Sequence, residues 1–431
     1  MKRDIYAHLI SWKNSKNRKP LVLYGARQVG KTYILKEFGK NEYKNFLYLN
    51  FDTNRELHNY FTEDISPKQI IDSLKALFKQ DITAGGTLLI FDEIQECQRA
   101  KDSLKYFNED APEYHIAAAG SFLGIANGKF PVGQVDRLTL YPLSFFEFLK
   151  ATGNGILLKS LQNDKFSNPA MHVLATDKLK QYFYIGGMPE AVKTYAQTGD
   201  LTLTRQIQDN ILSNYKEDFF KHIKSSDIPK VRMLWDSIPV HLAKEKKKFV
   251  YKEIKQGGRA SEFENAMDWL VNTGLIYKIS NTHEAKLPLI AYEERDSFKI
   301  YMHDVGLLAA SAKLDIKTFF SAEHDIFREF KGAMAEQFVL QELKPKNFHT
   351  CYWSNSTGKA EVDFIIQYKD KILPLEVKSG ENVKAKSLGV YMEKYKPQIA
   401  VRCSVSKYVR KENLIDIPLY AIGQLEEILL F

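Results

Sequence analysis

Short apolar runs alternate with amphipathic stretches along the first third of the chain. Leu21-Val22-Leu23-Tyr24, Phe46 to Phe51, Thr87 to Phe91 and Ile116 to Ala119 have the length and two-sided apolar character of buried strands. Tyr33-Ile34-Leu35-Lys36-Glu37-Phe38, between the first two, has helical spacing. Alternating strand and helix over residues 1–145 predicts an α/β domain with a parallel sheet. At Tyr141-Pro142-Leu143-Ser144-Phe145 the pattern turns helical, with Ser144 as N-cap and Glu147 three residues on forming a capping box. Asn154 to Pro169 reads as a loop or linker. Helical spacing then runs to about residue 225, interrupted by Gly186-Gly187-Met188-Pro189-Glu190, a structural turn.

Further on, the pattern reads helix, helix, helix, strand. Phe249 to Ile254 starts a short helix, Gly257-Gly258 breaks it, and Ser261 begins another through Phe263, Ala266, Trp269 and Leu270. Gly274 ends that helix and Leu275 to Ile279 starts a strand. This order is a winged-helix pattern, which either enters a DNA groove or docks a protein. The third helix carries Arg259, Glu262, Glu264 and Asp268, so it is not notably basic. Four segments result: 1–145, 146–228, 229–315 and 316–431.

Composition narrows the class. The chain has 431 residues, 44% of them hydrophobic, enough for several cores. No run approaches the ~18 apolar residues of a membrane span. Met1-Lys2-Arg3-Asp4 lacks the apolar core of a signal peptide, so a cytoplasmic protein is expected. Cys97, Cys351 and Cys403 are far apart, match no metal-ligand spacing, and read as ordinary reduced thiols. The net charge of +8 permits DNA or RNA as a partner without demonstrating it. Lys244, Lys246, Lys247 and Lys248 form the densest basic run, readable as a solvated helix end or as a nucleic-acid contact.

The most specific chemistry lies after the first strand. Gly25-Ala26-Arg27-Gln28-Val29-Gly30-Lys31-Thr32 stands between a strand and a helix, the context a phosphate-binding loop requires. Its glycines let backbone N–H groups close around a β-phosphate, with the helix dipole aimed at the same anion. Lys31 can reach the β- and γ-phosphates and the Thr32 hydroxyl can bind Mg²⁺, so ATP and Mg²⁺ are the expected ligands. The strand Thr87 to Asp92 ends in two carboxylates: Asp92 for the Mg²⁺ shell and Glu93 to orient or deprotonate the attacking water. Asp52 ends another strand and reads equally as a turn residue or a site residue. Ser121 stands where it can contact the γ-phosphate or the water. Arg137, after a glycine-containing loop, reads as an arginine finger, in cis or toward a neighbouring copy, or as a structural ion pair.

A second constellation lies near the C-terminus. Glu361 to Gln367 and Ile372 to Lys378 flank the turn Tyr368-Lys369-Asp370-Lys371. A hairpin centred on Lys369-Asp370 sets Asp363 opposite Glu376 and Glu361 opposite Lys378, all on one open face. The opposed acids repel, and Mg²⁺ between them relieves the penalty and supports phosphodiester hydrolysis, with Lys378 beside the scissile phosphate. Glu336, on a preceding helix, can supply a further acid. The bland alternative is a solvated face with a Glu361–Lys378 ion pair.

The loop Gly25 to Thr32, the strand Leu89 to Gln95, Tyr141 to Phe145, Gly186 to Glu190 and Phe298 to Leu308 together resemble a prokaryotic AAA-type ATPase family that carries a C-terminal DUF4143 domain. The resemblance spans nearly the whole chain and implies ATP binding and hydrolysis, with a homo-oligomer or a partner protein in view. The terminal segment also resembles the PD-(D/E)xK, restriction-endonuclease-like fold. Glu336, Asp363, Glu376 and Lys378 match its helix acid, second-motif Asp and E-x-K, while Val362 stands where the fold often has Pro. Such domains act as nucleases or as inactive binding modules, and fold does not decide between them.

Overall fold

A computed structural model describes residues 1–62, 64–120, 130–131, 133–163, 166–244, 247–320, 328–380 and 386–430. The chain forms two compact units: residues 1–141 with 268–275, and residues 142–267 with 276–431.

The first unit holds a five-stranded sheet of β1 (Leu21–Tyr24), β2 (Asn45–Asn50), β3 (Thr87–Asp92), β4 (His115–Ala119) and β5 (Asp136–Thr139), in the order β2-β3-β4-β1-β5. Every neighbouring pair is parallel, as the strand–helix alternation predicts. The four residues of β1 and the six of β3 are buried throughout, which is why their sequences are apolar runs rather than alternations. The helix Lys31–Glu42 buries Ile34, Leu35 and Phe38 against the sheet. Gly39 is required there, because a Cβ would stand 2.8 Å from Phe46 Cβ. Phe51, Phe61 and Phe91 meet edge to face with centroids 5.4–5.7 Å apart and close one side of the core. Burying a phenylalanine of this kind contributes about 2–3 kcal/mol.

The second unit contains an eight-stranded mixed sheet of β6 (Ile276–Thr282), β7 (Glu293–Met302), β8 (His349–Ser354), β9 (Glu361–Tyr368), β10 (Lys371–Val377), β11 (Ala400–Ser404), β12 (Val409–Arg410) and β13 (Leu414–Pro418). Their order is β12-β13-β11-β10-β9-β8-β6-β7. The β6–β7 hairpin joins the sheet through a parallel pairing of Asn281 and Thr282 with Tyr352 and Trp353. The strands expected after the third helix therefore share one sheet with the C-terminal hairpin.

Two local expectations are corrected. Residues 155–163, expected in a loop, form the helix Gly155–Asn163, because Leu157, Leu158 and Leu161 make a buried stripe that the polar neighbours obscure. The short helix expected from Phe249 is a single 3-10 turn, Tyr251–Glu253, cut short before Gly257, whose φ is +75°. The Ser144–Glu147 capping box is present as read.

Three motifs of the second unit meet at one point. Leu143 N–H donates to Gly187 O (2.7 Å), and Gly187 N–H donates to Asp304 Oδ2 (2.6 Å). Tyr182 OH donates to Leu143 O. A Cβ on Gly187 would lie 2.2 Å from Leu143 O, and one on Gly306 2.4 Å from Ile185 O. The glycines allow backbone to touch backbone, and Asp304 also caps the helix Val305–Ser311 through Leu307 N–H (2.9 Å). Gln341 completes the junction, donating to Tyr182 OH at 2.8 Å and accepting from Val305 N–H at 2.8 Å. Among the described residues no helix is long and apolar enough to cross a membrane.

Candidate nucleotide site and C-terminal acid cluster

β1 ends directly in the loop Gly25–Gly30. Gly25 (φ +152°), Gln28 (φ +65°) and Gly30 (φ +96°) take positive φ, which turns successive N–H groups into a concave anion-binding nest. Gly25 cannot carry a side chain, since a Cβ would lie 2.3 Å from Leu140 O. Lys31 opens the helix and is buried, its ammonium donating to Gly25 O (2.9 Å) and Ala26 O (3.0 Å) across the mouth of the loop. Burial lowers its pKa to about 8, against the pull of Glu93 and Asp92. Arg3, unremarked in the sequence, braces the loop by donating to Val29 O (3.1 Å) and Tyr141 O (2.5 Å).

The acids at the end of β3 lie beside that loop. Thr32 Oγ1 donates to Asp92 Oδ2 at 2.7 Å, and Tyr48 OH donates to the same oxygen at 2.7 Å. Burial, and then Asp92 itself, push the Tyr48 phenol up to about 12, so it remains a donor. Glu93 takes a left-handed conformation (φ +48°), uncommon for a residue with a side chain, and Gln95 Nε2 donates to its Oε2. Tyr48 and Gln95 are functional candidates that sequence reasoning missed; the signal lay in their strand and turn positions around the acids. Asp52 is exposed, its N–H donating to Asn50 Oδ1, which makes it a turn residue. Arg137 stands on the edge strand β5, exposed, its guanidinium 5.9 Å from the centre of the Tyr24 ring. Ser121 lies outside the described residues.

The C-terminal hairpin has the expected register, with Lys371 opposite Tyr368 and Leu375 opposite Phe364. One step on, Asp363 Oδ2 accepts Val377 N–H at 2.7 Å, which sets it beside Glu376. The face is not open. Glu336 on the helix Arg328–Leu343 and Glu376 on β10 are both buried. Two lysines and a tyrosine that the sequence did not reveal also enter. Lys247 pairs with Glu336, and Lys299 pairs with Glu361 (2.6 Å) and Glu336 (3.8 Å). Tyr301 OH donates to Glu336 Oε2 at 3.1 Å. Lys378 pairs with Glu376 at 2.6 Å, not with Glu361.

Burial together with Glu336 and Glu376 holds the Asp363 carboxyl well above the usual range. Burial also raises Glu376, outweighing Lys378. Burial works against the Glu336 charge too, but Lys247 and Lys299 overcome it and hold Glu336 at about 2. The ammonium groups thus secure the charge on Glu336, while Asp363 and Glu376 stay raised. Glu376 Oε2 is buried without a hydrogen-bond partner. In the basic run, Lys244 and Lys247 are taken up by Glu253 and Glu336, and Lys246 is outside the described residues.

A parallel sheet whose β1 runs through a glycine loop into a helix, with acids closing on the helix threonine, defines a P-loop nucleotide-binding domain. Comparisons with known proteins agree on the class. An AAA domain model matches residues 17–149, a domain of unknown function (DUF8612) matches residues 176–318, and a second (DUF4143) matches residues 331–422. The chain therefore carries an AAA domain followed by a DUF4143 domain. No curated protein matches it. Among solved structures it is similar to the Walker-type ATPase PABY2304 of Pyrococcus abyssi, at 14% identity over 72% of this chain and 95% of that one, with a TM-score of 0.45. It is also similar to the RuvB Holliday junction branch migration motor of Thermotoga maritima (11% identity, 64% and 89% covered, TM-score 0.28). A third likeness is to the Drosophila ORC bound to DNA (11%, 72% and 95%, TM-score 0.28).

Proposed function

We propose that the first unit hydrolyses ATP with Mg²⁺. The observation that carries the reading is the Thr32–Asp92 pair at 2.7 Å, which joins the phosphate loop to the carboxylate strand. Gly25 to Gly30 receive the β-phosphate on backbone N–H groups, and Lys31 exchanges its loop carbonyls for phosphate oxygens. Mg²⁺, held by Thr32 and Asp92, would neutralise charge on the phosphates. Glu93, oriented by Gln95, positions and deprotonates the attacking water. Arg137, exposed on an edge strand, suits a finger directed at the nucleotide of a neighbouring copy in a homo-oligomer. Glu93→Gln keeps the shape and removes the base, so ATP binding should persist while turnover falls about 10²–10⁴-fold. Wild-type turnover in that variant moves the catalytic role elsewhere.

For the second unit the ammonium-filled acid cluster favours a regulator that binds DNA, RNA or a protein without cutting. The nucleotide state of the first unit controls that binding. Incubation with plasmid, single-stranded DNA and RNA, in Mg²⁺ or Mn²⁺ and with or without ATP, should yield intact nucleic acid. Cleavage that Asp363→Ala abolishes establishes the nuclease reading, with Asp363 and Glu376 as metal ligands and Lys378 at the phosphate. The three cysteines are free thiols, which supports a reducing, cytoplasmic setting.

A further inference from the structure

His349 and Cys351 sit two apart on β8, so they share a face, and the first residue of β7, Glu293, reaches them although β6 lies between the two strands. Their donor atoms converge. His349 Nε2 is 2.7 Å from Glu293 Oε1, Cys351 Sγ is 3.5 Å from the same oxygen, and Sγ is 3.7 Å from the same Nε2. Among the described residues this is the group of three whose ligand atoms all lie within 4.8 Å of one another.

The geometry points to a transition-metal site, with Zn²⁺ as the ion. Tetrahedral zinc with bonds of 2.0–2.3 Å separates its ligand atoms by roughly 3.3–3.6 Å. The sulfur–oxygen distance of 3.5 Å matches that spacing, the sulfur–nitrogen distance of 3.7 Å is just beyond it, and the His–Glu pair opens by about half an ångström to admit the ion. A catalytic triad is the wrong description. In a triad the imidazole offers one nitrogen to the nucleophile and the other to the acid. Here sulfur and carboxylate address the same Nε2, which places three electron-pair donors around a common point. Thiolate plus imidazole suits Zn²⁺ better than Mg²⁺ or Ca²⁺, which prefer all-oxygen shells. Charge also fits: Zn²⁺ with one thiolate, one carboxylate and a neutral imidazole sums to zero, and the thiol proton leaves to solvent.

Access is graded across the site. Cys351 is fully buried, the Glu293 side chain is 19% exposed and that of His349 is 36% exposed, so the fourth position faces outward and takes water or a partner's ligand. The Lys344 ammonium interacts electrostatically with Cys351; it repels an entering cation but favours the thiolate once formed. The ion clamps β7 to β8 across β6.

Co²⁺ titration of the chelator-stripped full chain tests this. One Co²⁺ should bind per chain with a thiolate-to-metal charge-transfer band and the intense visible bands of a tetrahedral ion, both displaced by Zn²⁺. Cys351→Ser should abolish the charge-transfer band, whereas Cys97→Ser should keep it. His349→Gln, at a part-exposed position, should weaken binding at least about tenfold. Co²⁺ at the P-loop or at the Asp363 cluster has no thiolate and gives no such band. Absence of the band in the wild type, its survival in Cys351→Ser, or unchanged affinity in His349→Gln overturns the site.

Discussion

Lys31 illustrates how one residue carries both a stability cost and a binding gain. Its ammonium is buried and held at about 8 by desolvation, with two loop carbonyls, Glu93 and Asp92 supporting the charge. Nucleotide phosphates favour the ammonium, so the pKa rises on binding. Between the free and bound values, binding takes up a proton. ATP affinity should therefore be flat below about pH 7 and fall as pH rises above 8, by up to about tenfold per unit. Equilibrium titration from pH 6.5 to 9.5 checks this, and Lys31→Ala should show weak, pH-independent binding. The sequence announced Lys31, Thr32, Asp92 and Glu93 because their spacing and context are specific. It was silent on Arg3, Tyr48, Gln95, Lys247 and Lys299, whose roles arise from side chains that other elements bring alongside.

At the scale of elements, strands were more legible than connections. Apolar runs specified β1 to β4, and the hairpin register followed from turn position and period-2 alternation. The helix Gly155–Asn163 was missed because a short amphipathic stripe among polar residues resembles a loop until something covers it. The Gly186-Gly187 turn is where motif and packing coincide. Gly187→Ala places a methyl 2.2 Å from Leu143 O and 2.9 Å from Tyr182 OH, with rigid backbone on one side. The expected loss is about 3 kcal/mol, read as a lower denaturation midpoint. An alanine variant as stable as wild type would show that the junction opens without cost.

For the whole molecule, the buried junction around Asp304 should set part of the pH response of stability. Burial raises Asp304 to about 6, despite N–H donors from Gly187, Leu307 and Gly306 and the amide of Gln341. Unfolding returns it to 3.8, so between those values the native state binds more protons than the unfolded one. Stability from this group is fully present below pH 3.8 and is lost as pH rises through 6, a change of about 3 kcal/mol. Chemical denaturation at pH 4, 5, 6 and 7 should show that decline in the wild type and a flatter profile in Asp304→Asn. Parallel profiles would remove Asp304 from the account.

Sequence alone determined what is local or periodic: the phosphate loop, the acids ending β3, the parallel sheet and the register of the hairpin that carries Asp363 and Glu376. These rest on backbone requirements and spacing that no distant contact needs to supply. Tertiary structure decided which charges meet. It brought Lys299 from β7 and Lys247 from a basic run onto acids otherwise fit for a metal. It also carried Glu293 to a histidine and a cysteine that sequence spacing had passed over. Electrostatic partners follow distance in space, and in an eight-stranded mixed sheet that distance is set by strand order, which no local pattern records.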